Sequence, residues 1–74
     1  MAREEDIRSA RRIVRENAER VAQHRLALAA MRAAGEDTTR AEQVLVELEE
    51  ALAQSRERIA RLRSAPATPA PREA

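Results

Sequence analysis

Between Arg3 and Ala34 apolar side chains return every seven positions, at Ile7, Val14, Val21 and Leu28, with Ala10, Asn17, His24 and Met31 three residues after each. Steps of three and four bring side chains to one face of an α-helix, so this stretch predicts a long amphipathic helix. A second helix is predicted from Thr39 to Arg63, where Ala41, Leu45, Leu48, Leu52, Ser55, Ile59 and Leu62 alternate steps of four and three. Both segments are rich in strong helix formers and lack proline. The seven-residue period implies a left-handed supercoil.

The pattern breaks at Ala34-Gly35-Glu36-Asp37-Thr38-Thr39. Gly35 is suited to the left-handed residue that closes a helix. Thr39 and Glu42 have the spacing of a capping box, and Asp37 and Thr38 compete for the N-cap. The expected boundaries are a helix over about 3–34, a turn at 35–38 and a helix over about 39–63, in a domain covering 1–64. From 65 to 74 the chain is an Ala/Pro segment, with Pro66, Pro69 and Pro71, that predicts a disordered, solvated tail. Pro66-Ala67-Thr68-Pro69 is a minimal PxxP pattern, but Arg72 stands one position from the basic residue of the usual ligand, and a solubilising extension is the plainer reading.

A turn this short places the helices antiparallel, so facing residues have numbers summing to 72 or 73. The expected layers are Met31 with Ala41, Leu28 with Leu45, His24 with Leu48, Val21 with Leu52, Asn17 with Ser55, Val14 with Ile59, and Ala10 with Leu62. Both polar intrusions, Asn17 and Ser55, fall into one layer. A register fixed by the turn thus agrees with a register fixed by polarity.

Ile13 and Ala27 on the first helix, and Val44 and Ala51 on the second, widen the apolar stripe beyond a two-helix seam. The predicted architecture is an all-α, antiparallel, coiled-coil-like hairpin that dimerises into a four-helix bundle. The interface residues are Ile7, Ile13, Val14, Val21, Leu28, Val44, Leu45, Leu48, Leu52, Ile59 and Leu62.

Composition points the same way. Seventy-four residues with no Cys, no Phe, Tyr or Trp and a single His leave no disulfide and no aromatic core, and His24 alone makes no zinc site. Oligomerisation is the remaining way to stabilise so small a core. Fourteen basic residues, all Arg, oppose thirteen acidic ones for a net charge of +1. An Arg-only basic set is what GC-rich coding would give, although Arg forks also suit phosphates and carboxylates. No apolar run reaches the roughly 18 residues of a membrane span, and the acidic start at Met1 to Ile7 is unlike a signal sequence. A cytoplasmic protein is expected.

Candidate sites are few. Asn17 with Ser55 lacks the base or activator that catalysis requires, and a polar layer in a helical core sets register or oligomeric state. His24 is a tolerated seam residue before it is a pH switch. Arg8, Arg11, Arg12 and Arg15 are brought by the hairpin to the same open end as Arg56, Arg58, Arg61 and Arg63, forming a possible anion patch. Glu36, Asp37, Glu42, Glu47, Glu49 and Glu50 outnumber Arg32 and Arg40 near the turn. A solvated face with pairs such as Glu16 to Arg20 and Glu57 to Arg61 accounts for these charges. Phosphate binding would be the alternative.

Met31-x-x-Ala34-Gly35-Glu36-Asp37-Thr38-x-x-Ala41, followed by Leu45, Leu48 and Leu52, resembles the turn and second helix of short uncharacterised bacterial helical-hairpin proteins, over about residues 21 to 60. The resemblance implies the fold and brings no activity. The expectation is a non-enzymatic structural or interaction module, of the kind a small regulator or adaptor is, acting by helix-helix association with a second copy or a partner protein helix. It needs no catalytic, metal or cofactor-binding residue and no small-molecule substrate. A nucleic-acid-associated protein using the arginine end is the alternative.

Overall fold

The computed structural model describes residues 2–64, and the Ala/Pro segment read as a tail lies outside the described residues. Two helices make up the fold: α1 spans Ala2–Ala33 and α2 spans Thr39–Ser64. They pack against each other as an all-α hairpin. At 1.5 Å per residue α1 is about 48 Å long and α2 about 39 Å. Glu4 and Glu5 in the first turn of α1, and Arg61 and Arg63 in the last turn of α2, complement the helix dipoles.

The turn runs over 34–38, beginning one residue before the expected 35–38. Gly35 has φ 73°, and its amide donates to the Arg32 carbonyl while the Glu36 amide donates to that of Met31, each at 3.0 Å. This pair of bonds is the Schellman closure, which needs the left-handed conformation that glycine adopts without a Cβ penalty.

The start of α2 corrects one sequence expectation. Thr39 and Glu42 do not form a capping box. The Glu42 amide donates to the Thr38 carbonyl at 2.8 Å, making Thr38 the backbone N-cap, while Asp37 Oδ1 accepts the Thr39 amide at 3.0 Å and the Thr39 hydroxyl at 2.8 Å. The Glu42 carboxylate instead receives the Thr38 hydroxyl at 2.9 Å and Arg32 at 3.2 Å. An Asx turn from Asp37 thus satisfies an amide that Thr39 would otherwise leave free.

The core is thin. Ala10, Val21, Leu28 and Leu52 are the buried apolar residues, and no large side chain is fully buried among those described. Ile7, Val14, His24 and Met31 on α1, with Ala41, Leu45, Leu48, Ile59 and Leu62 on α2, are half-buried along the same seam. A helix pair covers each apolar stripe from one direction only, so the outer edges of these side chains stay wet.

Candidate association interface

The polar layer forms as the register requires. Asn17 Nδ2 donates across the seam to Ser55 Oγ at 3.4 Å and to the Ala51 carbonyl at 3.5 Å, both long for hydrogen bonds. Ser55 Oγ also donates to its own helix at the Leu52 carbonyl, at 2.7 Å. The buried hydroxyl is therefore satisfied without Asn17.

The two sides of the seam differ in chemistry. On one side Arg25 reaches Glu49 at 2.8 Å and Arg32 reaches Glu42 at 3.2 Å, both pairs summing to 74. These contacts show which side of α2 meets which side of α1. At steps of seven they extend to Ala18 facing Arg56 and Arg11 facing Arg63, so the ladder is attractive near the turn and like-charged at the open end. The opposite side, also stepping by seven, carries Asp6, Ile13, Arg20 and Ala27 from α1 and Val44, Ala51 and Arg58 from α2. All four residues that widen the stripe lie on this side. Ile13 is 43% exposed, Ala27 and Ala51 are exposed, and Val44 is half-buried.

No family model, curated protein or solved structure matches this chain.

At the open end Arg8, Arg11, Arg12 and Arg15 line a cleft of about 400 Å³ together with Ser9. All of its walls come from one helix, so it is a gap between long side chains rather than a formed pocket. Arg56, Arg58, Arg61 and Arg63 are exposed on α2. Among the described residues only Arg12, to Glu16 at 4.0 Å, and Arg61, to Glu57 at 3.9 Å, of these eight arginines form ion pairs. Glu16 therefore pairs backward with Arg12 rather than forward with Arg20. These exposed pairs contribute about 0–1 kcal/mol each.

Arg3 is the contributor that periodicity did not reveal. Its guanidinium donates to the Leu62 carbonyl at 2.7 Å and the Arg63 carbonyl at 3.4 Å, satisfying two carbonyls at the end of α2. A cation at a helix C-terminus also meets the negative end of the dipole. Near the turn, the Asp37 carboxyl is held below the usual range by the Thr39 amide and then the Thr39 hydroxyl. The Glu42 carboxyl is lowered by the Thr38 hydroxyl and then by Arg32. His24 is half-buried opposite Leu48 in the expected register. Leu26 and Val46, 73% and 52% exposed, sit off the seam, and no described helix is long and apolar enough to cross a membrane.

Proposed function

We propose that the protein is a non-enzymatic structural or interaction module that works by helix-helix association, pairing with a second copy or with a helix of a partner protein, as a small regulator or adaptor does. The observation that carries this reading is the one-sided apolar strip of Ile13, Ala27, Val44 and Ala51 beside a core with four buried apolar residues among those described. A hairpin of two helices cannot cover that strip, and one further helix pair laid on it completes a four-helix bundle. The resemblance to bacterial helical hairpins agrees with such a role and assigns no chemistry. A cytoplasmic location fits the same reading.

The test is a dilution series followed by helix signal, together with solution mass from light scattering. Mass action makes the stability of an associating hairpin fall with concentration. A fully helical monomer whose melting temperature ignores concentration, and which captures no partner helix, sinks the association reading.

The unpaired arginines at the open end favour a second reading, attachment to nucleic-acid phosphates. Duplex DNA or RNA binding that weakens steeply with salt is its signature. The net charge of +1 and the acidic run Glu4-Glu5-Asp6 beside the patch weigh against it.

A further inference from the structure

We infer that the open end of the hairpin holds a site for an oxyanion of the phosphate class, bound between the helices by Arg11 and Arg63 with Arg8, Arg15 and Arg56 around them. The inference uses arginines of the second reading above, but it requires neither nucleic acid nor association. Its support is the ladder of facing residues on the side of the seam away from the apolar strip.

Two ion pairs fix that ladder. Arg25 meets Glu49 and Arg32 meets Glu42, so near the turn each arginine of this row on α1 has an acceptor on α2. One and two heptads farther out the same register sets Ala18 opposite Arg56 and Arg11 opposite Arg63. A donor stands where the acceptor stood. The next row outward, a step of three or four residues away, carries Arg8, Arg15 and Ala22 on α1 with Ala53 and Ala60 on α2. Between the levels of Arg8 and Ala22, about 21 Å at the helical rise, these two rows hold five arginines and four alanines, and no carboxylate. The chain's net charge of +1 conceals this, because the balancing carboxylates lie elsewhere. Glu16 pairs with Arg12 and Glu57 with Arg61, while Glu4 and Glu19, each one turn from the cluster, form no ion pair with it. The five guanidiniums have no ion pair or hydrogen bond to any described residue.

Like charges facing across a seam repel, and the bonds from Arg3 to the Leu62 and Arg63 carbonyls hold the two rows together nonetheless. An anion seated between Arg11 and Arg63 turns that repulsion into two attractions. Guanidinium forks suit it, since each can donate two parallel N–H bonds to a phosphate. The alanines among them are too short to compete for these donors or to fill the space between them. A partner helix is a poorer occupant: the patch has no large apolar side chain to anchor a protein interface, and exposed pairs with carboxylates contribute little by themselves.

The test compares two double variants of equal charge. Arg11→Gln with Arg63→Gln removes the facing pair, and Arg58→Gln with Arg61→Gln removes two arginines from the other side of α2. Inorganic phosphate is titrated against chloride at constant pH, ionic strength and protein concentration, with thermal unfolding followed by circular dichroism. At a phosphate concentration equal to its dissociation constant the unaltered chain should melt about 2–3 °C higher. The Arg58 and Arg61 variant should keep that rise and the Arg11 and Arg63 variant should lose it. Stabilisation through exclusion of phosphate from the protein surface would instead be equal in all three. A second arm, a labelled DNA duplex followed by fluorescence anisotropy, asks whether the phosphate arrives on a polymer. Duplex binding lost in the Arg11 and Arg63 variant and kept in the other assigns the site to polymer-borne phosphates. A response to inorganic phosphate with no duplex binding assigns it to the free ion and removes the second reading. If neither response separates the two variants, the inference is overturned and association is left standing.

Discussion

The turn end and the open end of this hairpin are built from the same alphabet and held by different means. At the turn, the Gly35 and Glu36 amides close two carbonyls of α1, Asp37 accepts the Thr39 amide at the start of α2, and Arg32 and Arg25 cross to Glu42 and Glu49. Leu28 is buried there at 3% exposure. At the open end Arg11 faces Arg63 in register, the last seam layer sets the small Ala10 against a half-buried Leu62, the polar Asn17–Ser55 layer lies two layers further in, and Arg3 ties one helix to the other. The comparison leads to the expectation that local stability falls with distance from the turn, with the Arg3 bonds to α2 opposing that fall at the open end.

The largest expected effect comes from cutting the core at each end. Leu28→Ala should cost about 2–5 kcal/mol, the range for a buried leucine. Leu62→Ala, half-buried at the open end, should cost about 1–2 kcal/mol. Urea midpoints at one fixed protein concentration measure both, and equal losses would break the comparison.

Filling the polar layer should narrow the difference from the other direction. Asn17→Leu with Ser55→Leu exchanges two long hydrogen bonds and the short intrahelical Ser55–Leu52 bond for apolar contact, and is expected to raise stability by about 1 kcal/mol, or about 4–8 °C in melting temperature. The same change should loosen assembly specificity, visible as mixed oligomers in light scattering. A strongly destabilised double variant of unaltered mass would contradict the layer.

Gly35→Ala isolates the turn. Nothing lies within 4 Å of a Cβ built at Gly35, so the loss is the conformational penalty of φ 73° alone, about 1–2 kcal/mol. A thermal melt that does not shift would show that the Schellman closure contributes nothing.

The smallest effect is the response to acid. Asp37 and Glu42 have lower pKa values in the folded chain than unfolded, so their contribution is fully present above about pH 5 and is lost as the pH falls through about 4 and below. Both groups are exposed, and the effect is correspondingly modest. Asp37→Asn with Glu42→Gln should melt closer to the same temperature at pH 7 and pH 3 than the unaltered chain does.

Much of the hairpin was legible in the sequence because burial follows periodicity. Every seam position between Ile7 and Met31 and between Ala41 and Leu62 is buried or half-buried, and the Asn17–Ser55 bond joins the layer that the turn and the polar residues had each indicated. Three features were not legible. Arg3 acts through the reach of a long side chain past a helix end, which no repeat encodes. The contest among Asp37, Thr38 and Thr39 is shared: Thr38 is the backbone N-cap, while Asp37 supplies the side-chain acceptor because its short carboxylate can accept both groups of Thr39. The one-sidedness of Ile13, Ala27, Val44 and Ala51 was present in their spacing, but it acquires meaning only when Arg25–Glu49 and Arg32–Glu42 show which sides of the helices adjoin.

The brevity of the connection from Ala34 to Thr38 also governs how the chain finds its structure. Closing so small a loop costs little entropy, since the closure term grows only as the logarithm of loop length. Once Gly35 has reversed the chain, each successive layer outward closes only slightly more chain than the one before, so pairing can spread as a zipper from the turn. Such a topology is dominated by local steps despite its long-range contacts, which places it among the fast folders. The order of formation then runs from Leu28 and Leu45 toward Ala10 and Leu62, with the arginine-rich end the last to join and the first to part.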